Sequence, residues 1–69
     1  MKNIFKNAYF GKPYKTRSGS KAIFLKRKEI TDYYILLVKS DCDFKRIVVY
    51  LNGKHPYEKW ADIVSEYEE

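Results

Sequence analysis

A chain of 69 residues with 45% hydrophobic and 33% charged side chains reads as one small globular domain, residues 1–69, rather than a disordered segment. A single cysteine, Cys42, excludes an internal disulfide, and no run approaches the roughly 18 apolar residues of a membrane helix. The net charge of +5 is unevenly divided: residues 1–28 hold nine Lys or Arg and no acid, whereas residues 29–69 hold five basic and nine acidic residues.

The first ten residues, MKNIFKNAYF, lack the continuous hydrophobic core of a secretory signal, and one unpaired thiol suits a reducing, cytoplasmic setting. Within them Ile4, Phe5, Ala8 and Tyr9 are spaced to share one side of a short helix, with Asn3 as its cap and Gly11 as its end. So short a helix must dock to persist, and it is expected to cover the sheet that follows.

Lys12 to Thr16 read as a short first strand, with Pro13 at its start where a missing N–H does no harm. Arg17-Ser18-Gly19-Ser20 form a turn. Three β-branched and aromatic runs follow as an antiparallel meander: Lys21 to Arg27, Tyr33 to Lys39, and Phe44 to Leu51. Short polar segments at 28–32 and 40–43 join them, and Asn52-Gly53 is a strong turn signal. The last segment fits two periods. Trp60, Ile63, Val64 and Tyr67 have helical spacing, yet Asp62-Ile63-Val64-Ser65 also reads as a strand. The strand is preferred, because pairing with the first strand would remove exposed edges.

The expected fold class is mainly β: a small five-stranded barrel, or a strongly curled antiparallel sheet, with a short N-terminal helix. The central strands are apolar on both faces, which a half-exposed sheet should not be. The second face therefore needs a cover, from barrel closure, from the N-terminal segment or from a second copy.

Asn3-Ile4-Phe5-Lys6-Asn7-Ala8-Tyr9-Phe10-Gly11, Thr16-Arg17-Ser18-Gly19-Ser20-Lys21-Ala22-Ile23, Asn52-Gly53-Lys54 and Asp62-Ile63-Val64 occur in an order that spans most of the chain. In this the chain resembles small uncharacterised proteins of phages, prophages and mobile elements of Bacteroides-like bacteria. Their pattern runs N-I-F-K-x-A-x-F-G, T-R-D-G-R-K-A-I, an apolar meander and D-I-V. Ser18 and Ser20 depart from it where Asp and Arg are expected. The resemblance implies a small SH3-like β-fold and a mobile-element origin, and it implies no activity.

No catalytic constellation stands out, and the chain is read as non-enzymatic, with no metal and no cofactor. His55 and Cys42 fall in turns at opposite ends of the fourth strand, about 25 Å apart at the usual rise per residue, too far for a dyad. Asp41 and Asp43 flank Cys42, but no further cysteine or histidine completes a zinc set. The turn Arg17-Ser18-Gly19-Ser20-Lys21 could offer an anion amides, hydroxyls and cations, although a plain β-turn explains it as well.

Binding is the expected role. Protein partners or self-association lead, with Tyr33, Tyr34, Tyr50, Tyr57 and Trp60 as anchors, since interface hot spots favour these side chains. The alternative is nucleic acid, held by the basic and aromatic set Lys12, Tyr14, Lys15, Arg17, Lys21, Lys26, Arg27 and Lys28. A third reading, sequestration of a nucleotide signal, would draw on the same cations and rings. No membrane partner is expected.

Overall fold

The computed structural model describes residues 3–39 and 43–68. The β-branched and aromatic runs form β1 (Pro13–Thr16), β2 (Lys21–Arg27), β3 (Tyr33–Lys39) and β4 (Phe44–Tyr50). A short 3-10 turn, Lys59–Ala61, precedes β5 (Ile63–Glu66). All neighbours are antiparallel, in the order β4-β3-β2-β1-β5. The expected five-stranded, mainly β architecture is thus present in its curled, open form. No ladder joins β4 to β5 among the described residues.

Two irregularities bend the sheet. Leu25 is an extra residue of β2 between Phe24↔Leu36 and Lys26↔Ile35. A second shift lies where β1 meets β5, between Lys15 and Thr16. An unpaired extra residue increases local twist and turns the strand. At the open side, the Ile63 amide donates to the Gly53 carbonyl at 2.7 Å, so the turn after β4 reaches the start of β5.

Alternation along the strands sends one set of side chains inward. Tyr14, Thr16, Ala22, Phe24, Tyr34, Leu36, Val38, Ile47, Val49 and Ile63 are buried there. Phe5 and Ala61, from the two segments outside the sheet, complete that core.

The expected N-terminal helix is not formed. Lys6 N–H reaches the Asn3 carbonyl at 3.4 Å and Ala8 N–H the Phe5 carbonyl at 3.0 Å, which are isolated turns without an α-helical ladder. Other partners hold this backbone: Ile4 N–H donates to the Leu51 carbonyl, Gly11 N–H to the Phe24 carbonyl, and Phe5 N–H to Asn3 Oδ1. With so costly a nucleus, a helix of this length loses to those tertiary bonds. The covering role survives through one side chain. Phe5 sits among Tyr14, Phe24 and Tyr34, with ring centroids 5.1, 5.8 and 4.8 Å away.

The last segment adopts the strand. Tyr14 faces Glu66 and Lys15 faces Ser65. A helix there would have left the β1 edge without a partner. No helix among the described residues is long and apolar enough to cross a membrane.

Candidate functional site

Both covering pieces, Phe5 and the 3-10 turn, are spent on the inner face. The outer face is a ladder of registered rows. Ile23 pairs with Leu37, and Leu37 with Arg46. Lys26 pairs with Ile35, and Ile35 with Val48. Tyr33 pairs with Tyr50, and Lys39 with Phe44. On the other flank, Lys15 pairs with Lys21.

The centre of this face is aliphatic, and Ile23, Ile35, Leu37 and Val48 are only half-buried there. Aromatic groups stand at its two ends. Tyr33 and Tyr50 meet edge-to-face with centroids 5.4 Å apart, and Phe44 is 58% exposed. Apart from Pro13, the remaining outward positions paired across β1–β4 are held by Lys15, Lys21, Lys26, Lys39 and Arg46, and none by an acid. Chemically this is an apolar platform with a cationic rim.

The five expected aromatic anchors divide. Tyr33 and Tyr50 belong to the platform. Tyr57 is 90% exposed, on the loop before the 3-10 turn. Trp60 is half-buried against the core; its indole N–H donates to Glu58 and the Lys45 ammonium lies 5.2 Å from its ring. Tyr34 is a correction. Its neighbours in sequence alternate outward, so its own ring points inward, is buried, and accepts from Asn3 Nδ2 at 3.0 Å. It cannot anchor a partner.

The basic hairpin is also redistributed, because pairing β5 with β1 brings the acidic tail back over it. Lys12 Nζ lies 3.2 Å from Glu66 and beside the Tyr9 and Tyr14 rings. Burial is the largest single influence on Lys12 and acts to lower its pKa, but the hydrogen bond to Glu66 together with the charges of Tyr14, Glu66 and Tyr9 leaves the ammonium above its ordinary value. Arg17 is 3.4 Å from Asp62. Arg27 lies 3.8 Å from Asp32 and donates to the Thr31 carbonyl. Lys28 is exposed on the loop after β2. Lys15, Lys21 and Lys26 face outward, and Lys21 lies 5.5 Å from the Tyr67 ring.

Tyr14 is the second correction: its ring is 1% exposed, so no base can stack on it. It is buried because it faces Ala22 across the ladder and Phe5 closes over it. Its hydroxyl is buried without a hydrogen-bond partner, and the residue borders a cleft of about 440 Å³ together with Asn3, Lys6, Lys12 and Glu66. Burial raises the phenol above its ordinary pKa, opposed by the Lys12 charge.

The turn at 17–20 is closed on itself. Thr16 Oγ1 is 2.9 Å from Ser18 Oγ, Ser18 Oγ is 3.3 Å from Ser20 Oγ, and Ser20 N–H donates to Thr16 Oγ1. With Arg17 engaged by Asp62, little of this loop addresses an external anion. His55 Nδ1 accepts from the Tyr57 and Glu58 amides, which is a loop-building role. Asp43 Oδ1 accepts from Phe44 N–H, while Asp41 and Cys42 lie outside the described residues.

Sequence reasoning missed Lys39, Phe44 and Arg46 as platform members, together with the aliphatic centre. The two-sided apolarity of the middle strands was the signal that marked it. No protein-family model, curated protein or solved structure matches this chain.

Proposed function

We propose that this chain is a small non-catalytic binding protein, of the kind mobile elements carry, that docks a protein partner on the outer face of β2–β4. The observation that carries this reading is an aliphatic centre with aromatic ends and a cationic rim, on a face over which neither covering segment lies. Interface cores draw on aromatic and apolar side chains, with polar groups at the rim. A partner presenting an apolar patch edged with acids complements it.

Nucleic acid is the second reading. It is favoured by one feature, the lack of any acid among the outward positions of β1–β4. Stacking on the Tyr33–Tyr50 pair would accompany phosphate contacts.

Affinity capture from host extract tests both at about 0.5 M salt, where exposed charge pairs are largely screened. A protein held by the wild type, released by Leu37→Arg with Val48→Arg, and kept by Lys15→Ala with Lys26→Ala supports the apolar platform. A thermal melt of each variant confirms folding. Capture that disappears with salt and with the lysine variant supports nucleic acid instead.

A further inference from the structure

The outer face ends at β4, an edge strand whose backbone groups point alternately to β3 and to the open side. Tyr50 N–H donates to the Lys54 carbonyl and the Tyr33 carbonyl accepts from Lys28, so these two paired residues do not bond each other. Antiparallel pairs alternate between bonded and non-bonded. Val49, Ile47 and Lys45 therefore bond β3, while Tyr50, Val48, Arg46 and Phe44 turn their backbone groups to the open edge. Phe44 N–H is capped by Asp43 and Tyr50 N–H by Lys54. The amides and carbonyls of Arg46 and Val48 remain, with no hydrogen bond to another segment among the described residues.

We propose that the β4 edge takes an extended acidic segment of the partner as a sixth strand, joined through the backbone of Arg46 and Val48. This rests on the platform reading and specifies how the partner engages it. Strand addition uses the main chain for affinity and alternate side-chain positions for specificity. The charge on β4 selects the occupant. Lys45 faces inward and Arg46 outward, so both flanks of an added strand meet a cation at that end and Val48 and Val49 at the other. An antiparallel segment that runs from apolar to acidic residues matches both ends. A second copy's β4 matches it less well, because it carries no acid: in full antiparallel overlap its Val48 and Val49 would lie opposite Arg46 and Lys45.

A synthetic peptide as long as β4, Thr-Val-Val-Thr-Glu-Glu-Thr, provides the test, with both glutamates replaced by lysine as control. Amide hydrogen exchange is read by NMR on the intact protein. The expected result is at least about tenfold slower exchange at Arg46 and Val48 with the acidic peptide and no change with the lysine peptide. Val48→Pro is expected to abolish binding, because proline is tolerated on an edge but cannot donate. If that variant fails to fold, the wild-type exchange data decide alone. Unchanged exchange at both amides overturns strand addition. Shifts confined to Ile35 and Leu37 overturn it too, yet leave the platform reading intact. Protection that grows with protein concentration and no peptide assigns the edge to a second copy and overturns the acidic partner.

Discussion

Gly53 and Ile63 hold the open side of the sheet together. The Ile63 amide donates to the Gly53 carbonyl at 2.7 Å, and Gly53 sits at φ +89°. A side chain there would strike the Ile63 carbonyl oxygen and come within 2.6 Å of Ile4 Cδ1. The turn, the N-terminal segment and β5 therefore meet where only glycine fits.

Gly53→Ala is expected to destabilise the protein by about 3 kcal/mol or more, since left-handed strain and a backbone clash act together. Gly19→Ala is the control. It shares the left-handed φ, at +91°, but has open space around it. Its cost should stay near 1–2 kcal/mol, roughly that of the backbone conformation alone. Chemical denaturation of both variants measures the difference, and equal losses would refute the close approach.

Most of the sheet was legible in the sequence, because β2, β3 and β4 are long β-branched runs between polar turns. β5 was ambiguous, since Trp60, Ile63, Val64 and Tyr67 satisfy a helical period while Ile63-Val64 suits a strand. The free edge of β1 decided it, and that is a tertiary fact. The N-terminal helix failed for the same kind of reason. Ile4, Phe5 and Ala8 do turn toward the core, but Ile4 and Gly11 give their amides to Leu51 and Phe24. The hairpin cations looked available because nothing local neutralises them. Glu66 and Asp62 reach Lys12 and Arg17 only through the β1–β5 register. Tyr33 and Tyr34 are identical in type, and only strand parity separates the platform residue from the core residue.

Asp62 and Arg17 should respond unequally to removal. The Asp62 side chain is 12% exposed and accepts the His55 amide at 2.9 Å, whereas Arg17 is 62% exposed. Asp62→Ala strips a part-buried N–H of its acceptor and is expected to cost about 1–3 kcal/mol. Arg17→Ala breaks a largely solvated pair and should cost less than about 1 kcal/mol. Asp62→Asn keeps the amide acceptor, so it should fall between them. Urea unfolding of the three variants gives the order, and Arg17→Ala as the most damaging would contradict it.

Phe5 does what the absent helix was expected to do. It is 3% exposed and touches three core rings. Phe5→Ala should cost about 3–5 kcal/mol, from lost burial and the cavity left behind. At about 0.05–0.15 kcal/mol per residue, a domain of this size has roughly 3–10 kcal/mol in reserve, so the loss takes a large share of it. A substantial unfolded fraction is expected at 37 °C by circular dichroism. Phe5→Leu, which keeps most of the volume, should remain folded with a lowered melting temperature. A melting temperature for Phe5→Ala near that of the wild type would show that the segment is not part of the core.

Tyr14 carries a hydroxyl that the fold does not use. Replacing it with phenylalanine removes a buried group without a partner and should be neutral or stabilising by up to about 1 kcal/mol. The pH dependence gives an independent reading. Both Tyr14 and Lys12 have folded pKa values above their ordinary 10.0 and 10.5, so the folded state holds these protons more tightly than the unfolded chain. Their contribution is complete below pH 10 and is lost as pH rises beyond it. The melting temperature should be insensitive to these two groups between pH 7 and 9 and should fall above about pH 10. In Tyr14→Phe the phenolate can no longer form at the core, so the alkaline fall should be shallower, with Lys12 still contributing to it. An alkaline limb unchanged by the substitution would mean that Tyr14 ionises freely and does not lie sealed beneath Phe5.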